Sequence, residues 1–318
     1  MTGAADCAAA FLGRAGRIAV ALDADVLQRA AVVAIDLDTR RRSERAARRI
    51  VRDAFASRRA AQASILFKKI DSTLRGHVVA ELATARAVLG GRRAVVFAPA
   101  FPAQGRIVRK GRVYVNGKAL RGGVCGALAA SGLEILDAAT EADLDAIARA
   151  GLALRPRPLF VGSAGLARAL ARALPKQRPG RAAIGPRPVV TVVGSASPVS
   201  ARQARHLSRS APARTGHVLL QLESCRAPKA SDGALARRLA RLVAQFAPNA
   251  HYVLTGGETA RSVLGALRVS ELRLLGEVEP GVPFGITPAG ALVCTKAGAF
   301  GNQDTLTHCV ARLKREMR

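Results

Sequence analysis

The sequence has 318 residues, of which 49% are hydrophobic, and a formal net charge of +28. This length is enough for two domains with separate cores, and the composition excludes an intrinsically disordered chain. No apolar run reaches the ~20 residues of a membrane-spanning helix, and the N-terminus lacks the basic segment of a signal peptide. The five cysteines are scattered without C-x-x-C spacing, which predicts reduced thiols in a cytoplasmic protein without a zinc site.

The positive charge comes mostly from arginines spread along the chain, as in residues 39–52. Charge of this size is typical of nucleic-acid-binding proteins, because neutralised phosphates release their counterions. Base stacking requires aromatic side chains, however, and the sequence has two tyrosines, nine phenylalanines and no tryptophan. We therefore favour dispersed surface charge and predict no specific nucleic-acid partner and no membrane partner.

In the N-terminal half, short apolar runs alternate with helical patterns. The predicted strands lie at 18–22, 31–35, 63–67, 94–98, 133–136 and 159–161, and the predicted helices at 3–15, 40–59, 77–89, 121–131, 140–150 and 163–173. Strands that are continuously apolar are typical of parallel sheets buried on both faces. The next segment, 175–188, is rich in proline, glycine and basic residues and has no periodicity, which predicts a linker.

A second alternating series follows this predicted linker. Its predicted strands lie at 189–193, 218–220, 252–254 and near 272–276 and 291–295, and its predicted helices begin at about 199 and span 232–246, 258–267 and 302–316. The fold class that we predict is α/β, with mainly parallel sheets in two domains, residues 1–178 and 186–318. We expect a cleft between these two domains.

Three loops of the first predicted domain carry charged residues after a strand. They lie at 36–40, 68–76 and 98–106. Ligands of open α/β sheets bind beyond the carboxyl ends of the strands. Cationic side chains hold carboxylates while aspartate and serine bind hydroxyl groups, so the set suits a small polyhydroxylated anion. Each loop taken alone is equally consistent with a solvated helix cap, for example with Ser72 or Thr73 capping the helix at 77.

Three glycine-rich turns of the second predicted domain also follow strands and open helices. They lie at 194–200, 254–260 and 295–301. Backbone N–H groups at such turns form phosphate sites, so the three together predict a nucleotide or polyphosphate site. The sequence contains neither the G-x-x-x-x-G-K-[ST] nor the G-x-G-x-x-G motif, which argues against a P-loop kinase and a standard dinucleotide dehydrogenase.

An ordered series of motifs along nearly the whole chain closely resembles the four-carbon acid sugar kinase family. The motifs are KKIDSTLRG (68–76), APAFPAQGR (98–106), GRVYVNG (111–117), VGSAGLA (161–167), VVGSASPVSARQ (192–203), LTGGETA (254–260), GEVEPGVPFG (276–285) and TKAGAFG (295–301). The resemblance implies a sugar-acid-binding N-terminal domain and an ATP-binding C-terminal domain, with Mg²⁺ expected alongside ATP. It also implies phosphorylation of the terminal hydroxyl of threonate, erythronate or a 3-oxo-tetronate.

Carried onto this sequence residue by residue, the resemblance implies two sets of site residues. The substrate-binding set is Arg40, Lys69, Ile70, Asp71 and Ser72, to which position and chemistry add Arg75 and Gln104. The nucleotide-binding set is Ser195, Ser197, Gly256, Gly257, Glu258, Thr259 and Gly298. Asp71 is also the candidate for deprotonating or orienting the attacking hydroxyl, with hydroxyl binding as the alternative. The metal ligands stay unknown, and a homo-oligomer is left open.

The sequence departs from the family pattern in three places. The family opens with a strand and an Ala-Asp-Asp-Leu-Thr-Gly-Ala loop, whereas this sequence starts MTGAADCAAAF. The segment after 111–117 and the segment 220–232 are shorter than usual. We therefore predict a truncated, internally shortened member whose first strand is missing and whose activity is in doubt. The alternative is a degenerate, non-catalytic relative or a basic binding protein.

Overall fold

The computed structural model describes residues 1–22, 30–91, 93–120, 123–177, 182–195, 197–210, 216–221 and 232–317. The chain divides into two compact units, which we call unit 1 (residues 1–36 and 177–318) and unit 2 (residues 37–176). Helices accompany the sheets in both units, so the predicted α/β class is confirmed. Within the described ranges, no helix combines the length and the apolar character needed to cross a membrane.

The elements follow the chain in this order. The helices are α1 (Thr2–Ala9), α2 (Glu44–Ala56), α3 (Arg58–Gln62), α4 (Val78–Val88), α5 (Val124–Ala130), α6 (Glu141–Ala153), α7 (Ala164–Arg172), α8 (Pro198–Arg209), α9 (Asp232–Phe246), α10 (Gly257–Ala266) and α11 (Thr305–Glu316). The strands are β1 (Ile18–Ala21), β2 (Val32–Ile35), β3 (Leu66–Lys69), β4 (Val95–Ala98), β5 (Arg106–Arg109), β6 (Arg112–Val115), β7 (Lys118–Ala119), β8 (Leu159–Gly162), β9 (Val189–Val193), β10 (His217–Gln221), β11 (His251–Thr255), β12 (Glu271–Glu279), β13 (Val282–Ile286) and β14 (Leu292–Lys296).

Unit 1 is built on one eight-stranded sheet in the order β10-β9-β11-β14-β13-β12-β1-β2. β9, β11 and β14 are neighbours, run parallel and are buried along their whole length. Their continuous apolar sequence follows from this burial, because α9 and α10 pack on one face and α8 and α11 on the other. The three carboxyl ends therefore lie side by side at one edge of the sheet.

Unit 2 contains a parallel three-stranded sheet in the order β3-β8-β4 and a small antiparallel sheet, β5-β6-β7. The central strand β8 is fully buried. In the register of this sheet Lys69 pairs with Gly162, which pairs with Ala98 on the other side. The last residues of the three strands are thus level, and the loops that follow them leave from the same edge.

Several predicted elements differ from the structure. The predicted strand at 133–136 is wrong, since this segment joins no sheet and contacts β4 through one hydrogen bond, Leu136 N to the Phe97 carbonyl (2.9 Å). The predicted helix 40–59 is divided at Ser57, which leaves α2 in extended conformation and caps α3. β5 to β7 were not predicted, because short hairpin strands with charged exposed positions lack a continuous apolar run. β13 is buried along its whole length but contains Pro283 and Gly285, which weaken a strand prediction.

The first 36 residues differ from the predicted domain division. β1 pairs with β12 of unit 1, and Ile18 and Val20 are buried in the unit 1 core. In the structure these residues therefore lie in unit 1, and the functional division into domains 1–178 and 186–318 stays a prediction. Within the predicted linker 175–188, residues 178–181 lie outside the described residues, and Ile184 packs against the unit 1 core. The predicted cleft between the domains stays a prediction, and most of the segment 220–232 lies outside the described residues.

Candidate functional site

In unit 2, the loops that follow β3, β8 and β4 are joined at the carboxyl edge of the sheet. Ile70 N donates a hydrogen bond to the Gly162 carbonyl (2.9 Å), and the Ser163 hydroxyl donates to the Ala100 carbonyl (2.7 Å). Ser163 also caps α7 by accepting from Gly165 N. The edge therefore holds the charged loop 70–77, the start of α7 and the loop 99–105 in one place.

Glycines at 162 and 165 allow these loops to pack closely. A Cβ atom at Gly162 would lie 2.5 Å from the Ala98 carbonyl oxygen, and one at Gly165 would lie 2.5 Å from the Ala100 carbonyl oxygen. This segment is one of the motifs that resemble the family, but none of its residues is among the predicted site residues. The available signal was a Gly-Ser-Ala-Gly turn directly after an apolar strand, the same pattern that predicted the phosphate loops.

Asp71 is the centre of the charged loop. Its Oδ1 accepts hydrogen bonds from Thr73 N (2.9 Å), from the Thr73 hydroxyl (2.5 Å) and from Arg75 Nε (3.1 Å), while its Oδ2 accepts from Arg75 Nη2 (2.8 Å). Arg40 Nη1 lies 3.9 Å from the same Oδ2. The structure thus brings three predicted residues, Arg40, Asp71 and Arg75, into one cluster.

The surroundings of Asp71 keep it ionised. Burial disfavours the charged carboxylate, but the hydrogen bonds from Arg75 and Thr73 and the charge of Arg75 outweigh burial and hold the pKa of Asp71 far below its ordinary value. The same contacts raise the pKa of Arg75. Two arginines around one carboxylate leave a net positive charge, which suits an anionic ligand.

Two adjacent lysines of β3 have opposite environments. Lys68 is buried and forms an ion pair with buried Glu81 of α4, so it joins β3 to that helix. Lys69 is exposed at the end of the strand. The alternation of a strand accounts for the difference, and it leaves Lys69 as the lysine of this motif that a ligand can reach.

The other predicted substrate residues lie at the same edge without joining the Asp71 cluster. Ile70 is buried, with 5% of its surface exposed, and Ser72 is half-buried. Gln104 lies in the short 3-10 turn Pro102–Gln104, where its carbonyl oxygen and Oε1 accept hydrogen bonds from Arg106. The structure therefore places Gln104 in the loop after β4 but engages it with Arg106.

In unit 1, the three glycine-rich turns meet at the carboxyl edge of β9, β11 and β14. A Cβ atom at Gly298 would lie 1.9 Å from Ser195 Oγ and 3.6 Å from Ser197 Cβ. One at Gly256 would lie 3.6 Å from Ser195 Cβ and 3.5 Å from Thr259 Oγ1. All three turns are thus in contact, and Ser195 lies between the other two.

Two helices begin at this edge. Ser197 caps α8 by accepting from Val199 N (3.3 Å). Gly256 precedes α10 with a φ of +96°, which favours glycine, and its N–H donates to the Lys296 carbonyl (2.8 Å). The positive ends of α8 and α10 and the nearby N–H groups provide a favourable environment for an anion.

Glu258 and Thr259 both lie in the first turn of α10 but face different neighbours. Thr259 is buried, and a Cβ atom at Gly194 would lie 2.2 Å from its Oγ1. A Cβ atom at Gly233, at the start of α9, would lie 2.5 Å from Glu258 Oε1. Thr259 therefore supports the turn after β9, while Glu258 faces the start of α9.

Within the part of the chain that the structure describes, no group of three or more His, Cys, Asp or Glu side chains could hold a metal ion. Mg²⁺ that accompanies a nucleotide is commonly held by one or two carboxylates, water and the phosphates themselves. Glu258 is the carboxylate of the predicted nucleotide set, and the metal ligands stay unassigned.

Comparison with known proteins identifies the family. The model of a sugar-binding N-terminal domain matches residues 1–125, and that of a nucleotide-binding C-terminal domain matches residues 226–306. A D-threonate kinase of Cupriavidus necator is 35% identical over 409 aligned residues, which cover 97% of this chain and 95% of the relative. The chain belongs to the four-carbon acid sugar kinase family. A sugar-acid kinase that binds a nucleotide is therefore supported.

Two further relatives agree. D-threonate kinases of Bordetella bronchiseptica and Salmonella typhimurium are 32% and 29% identical, covering 99% and 77% of this chain and 96% and 79% of the relatives. The alignments with the Cupriavidus and Bordetella proteins span 409 and 395 positions, more than the 318 residues of the chain. These relatives therefore contain segments without a counterpart here, in agreement with the predicted internal shortening.

Solved structures support the fold. Crystal structures of proteins from Haemophilus influenzae and Salmonella typhimurium match with TM-scores of 0.71 and 0.73. They cover 98% and 97% of this chain, and the matches span 98% and 96% of those proteins. Their identities of 16% and 19% limit the likeness to the fold.

Proposed function

We propose that this protein transfers a phosphoryl group from ATP, with Mg²⁺, to the terminal hydroxyl of a four-carbon sugar acid of the threonate, erythronate or 3-oxo-tetronate type. The observation that carries the proposal is the 35% identity with a D-threonate kinase across nearly the whole chain. D-threonate is therefore the first acid to test. The scattered cysteines support a cytoplasmic location for this reaction.

The charged loop of unit 2 supports the acid-binding half of the proposal. Lys69 and the arginine pair Arg40 and Arg75 would hold the carboxylate, while Ser72 and the main chain at Ile70 would bind hydroxyl groups. The existing hydrogen bonds of Asp71 favour hydroxyl binding, the alternative to its predicted role at the attacking hydroxyl, over proton abstraction. Gln104 would take part if it leaves Arg106.

The three turns of unit 1 support the nucleotide-binding half. Gly256 and Gly298 let the turns pack closely around Ser195, and Gly257 packs against Thr2. The backbone N–H groups and helix N-termini gathered at this edge, bordered by Ser195, Ser197 and Thr259, suit phosphate groups. Phosphoryl transfer depends mainly on positioning and on neutralising phosphate charge, to which bound Mg²⁺ contributes. Glu258 would lie near this charge at the start of α10.

The test is a steady-state assay of ADP release with ATP, Mg²⁺ and a panel of threonate, erythronate and 3-oxo-tetronate isomers. We expect turnover of at least one acid, with D-threonate first. Lys69→Ala should raise the KM for the acid about tenfold or more, because a charge-assisted contact to the carboxylate is lost. Lys118→Ala, which removes another exposed lysine of unit 2, is the matched control and should change neither the KM for the acid nor the kcat.

The assay also separates the proposal from its alternative. A protein that binds ATP or an acid but turns over no member of the panel is the non-catalytic relative considered from the sequence. Absence of both binding and turnover contradicts the kinase assignment for this chain.

A further inference from the structure

Lys296, the last residue of β14, is a buried cation that is not among the predicted site residues. Its side chain has 0% exposure. The ammonium Nζ donates hydrogen bonds to the carbonyl oxygens of Ala297 (2.9 Å), Gly298 (3.2 Å) and Phe300 (3.1 Å). Three N–H donors thus meet three carbonyls of one turn, which includes the predicted nucleotide residue Gly298.

These hydrogen bonds fix the direction of the neighbouring amides. In a trans peptide group the N–H points opposite to the C=O. Because the carbonyls of residues 297, 298 and 300 face the ammonium, the N–H groups of Gly298, Ala299 and Gly301 point away from it. Ala299 and Gly301 are exposed, so the amides face the accessible side of the turn. Amides on the outer side of such a turn are free to donate to an anion that lies along it, next to the positive ends of α8 and α10.

Side chains of α8 hold the same turn from a second side. The Ser200 hydroxyl donates to the Gly298 carbonyl (2.7 Å), and Gln203 Nε2 donates to the carbonyls of Phe300 (3.1 Å) and Asn302 (2.5 Å). Both side chains are buried, with 0% exposure. The carbonyls of Gly298 and Phe300 therefore each accept a second hydrogen bond in addition to that from Lys296, which makes the turn rigid.

We propose that Lys296 is a positioning residue for the nucleotide: by holding the carbonyls of the turn inward, it keeps the amides of Gly298, Ala299 and Gly301 on the outer side of the turn, where they can donate to the phosphate chain. This inference rests on the proposed function, because it assumes that the nucleotide binds at the Gly298 turn. Lys296 itself does not touch the phosphate in this arrangement.

Protonation of Lys296 is required for the full set of hydrogen bonds. A neutral amine has two N–H donors for three carbonyls and no positive charge. Burial lowers the pKa of Lys296 to about 8, against the opposing effect of Cys309, Cys294 and Glu279. Among the described residues, the titratable groups that act on the ammonium are thus Cys309 on α11, Cys294 on β14 and Glu279 on β12. Nucleotide affinity should therefore fall as the pH rises through about 8.

The experiment measures the Kd of ATP with Mg²⁺ by titration calorimetry between pH 7.0 and 9.5. Lys296→Met should weaken binding at pH 7 about tenfold or more, since three carbonyls each lose the hydrogen bond from the ammonium and two of them keep only a donor from α8, and it should flatten the pH profile. Val243→Ala, in the core of unit 1 and away from the turn, is the control. It should lower thermal stability while leaving both the Kd and the profile unchanged.

The outcomes separate the two proposals. A wild-type protein that binds no nucleotide contradicts the proposed function and this inference together. If the wild type binds ATP and Lys296→Met gives the same Kd with the same profile, the inference alone is wrong. If Lys296→Met does not fold, the profile of the Cys294→Ala/Cys309→Ala double variant decides, because its thiols do not titrate. Because Cys309 and Cys294 raise the pKa of Lys296, their removal moves its titration to lower pH, so this variant is measured from pH 5.5 to 9.5. Affinity that stays constant over that range overturns the inference.

Discussion

Gly298 should tolerate no side chain, and the structure gives the size of the effect. A Cβ atom there would lie 1.9 Å from Ser195 Oγ and 2.8 Å from Ser195 Cβ, well inside the ~3.5 Å at which carbon contacts become favourable. Rotation of the Ser195 side chain can relieve the first contact but not the second. Gly298→Ala must therefore shift one of the two turns, at a cost of about 1–3 kcal/mol in unfolding free energy.

The assay combines stability with nucleotide binding in a double-mutant cycle. Gly298→Ala should lower the Tm by a few degrees and weaken ATP binding about tenfold, because the turns no longer meet. Ser195→Gly removes both clashing atoms, so Gly298→Ala in the Ser195→Gly background should recover at least about 1 kcal/mol of stability. Such a recovery of stability is expected only if the side chains at positions 195 and 298 clash with each other.

Gly265→Ala is the matched control for the same substitution. Gly265 lies in α10 of the same unit, and a Cβ atom there would meet nothing within 4 Å. The alanine should raise the unfolding free energy by up to about 1 kcal/mol, because it favours the helix. Additive effects of Gly298→Ala and Ser195→Gly would refute the close approach of the two turns.

Three other properties can be tested independently. Burial and the charge of Lys314 lower the pKa of His217 from 6.5 to about 4, so between these pH values the unfolded chain binds a proton that the folded protein does not. The unfolding free energy measured by urea titration should therefore be retained above pH 6.5 and fall towards pH 4. His217→Gln should remove up to about 3 kcal/mol of that loss. Lys68→Met leaves the carboxylate of Glu81 buried without its partner, which should cost about 3–5 kcal/mol in the same titrations, whereas Lys68→Met with Glu81→Gln should cost less. Binding to DNA should be weak and independent of sequence and should disappear near ~0.15 M salt in a fluorescence assay; tight binding to one sequence at that salt would contradict the dispersed-charge interpretation.

The central strands of unit 1 were predictable because strands that are buried on both faces have a continuous apolar sequence. β9, β11 and β14 are short and apolar without alternation, and each is followed by a glycine turn. Sheet membership was not predictable in the same way. β1 and β2 are as apolar as the central strands and were predicted in the first domain, yet β1 pairs with β12 of unit 1 and β2 pairs with β1. A local run of valine and isoleucine does not specify which distant strand it pairs with.

The sequence was sufficient to predict which loops form the site, but the environment of each side chain in them depends on the three-dimensional structure. The sequence places Lys68 and Lys69 side by side, and only the phase of β3 distinguishes the buried ion pair from the exposed cation. Lys296 was missed for a related reason. A lysine at a strand end is usually exposed, and its burial beneath the turn depends on β13, α8 and α11 packing around β14.

Asp71 shows why residue type and position do not fix a catalytic role. An effective general base has a pKa near the working pH, whereas the bonds from Arg75 and Thr73 hold the pKa of Asp71 far below its ordinary value. We therefore expect Asp71→Asn to release Arg75 and raise the KM for the acid about tenfold, with kcat reduced less than tenfold. Arg75→Ala should have a similar effect, and the double variant should be no worse than either alone, because the two residues act as one unit. If Asp71→Asn instead lowers kcat by about 10²–10⁴ with an unchanged KM, while Arg75→Ala leaves kcat intact, Asp71 takes the proton and the positioning role is wrong.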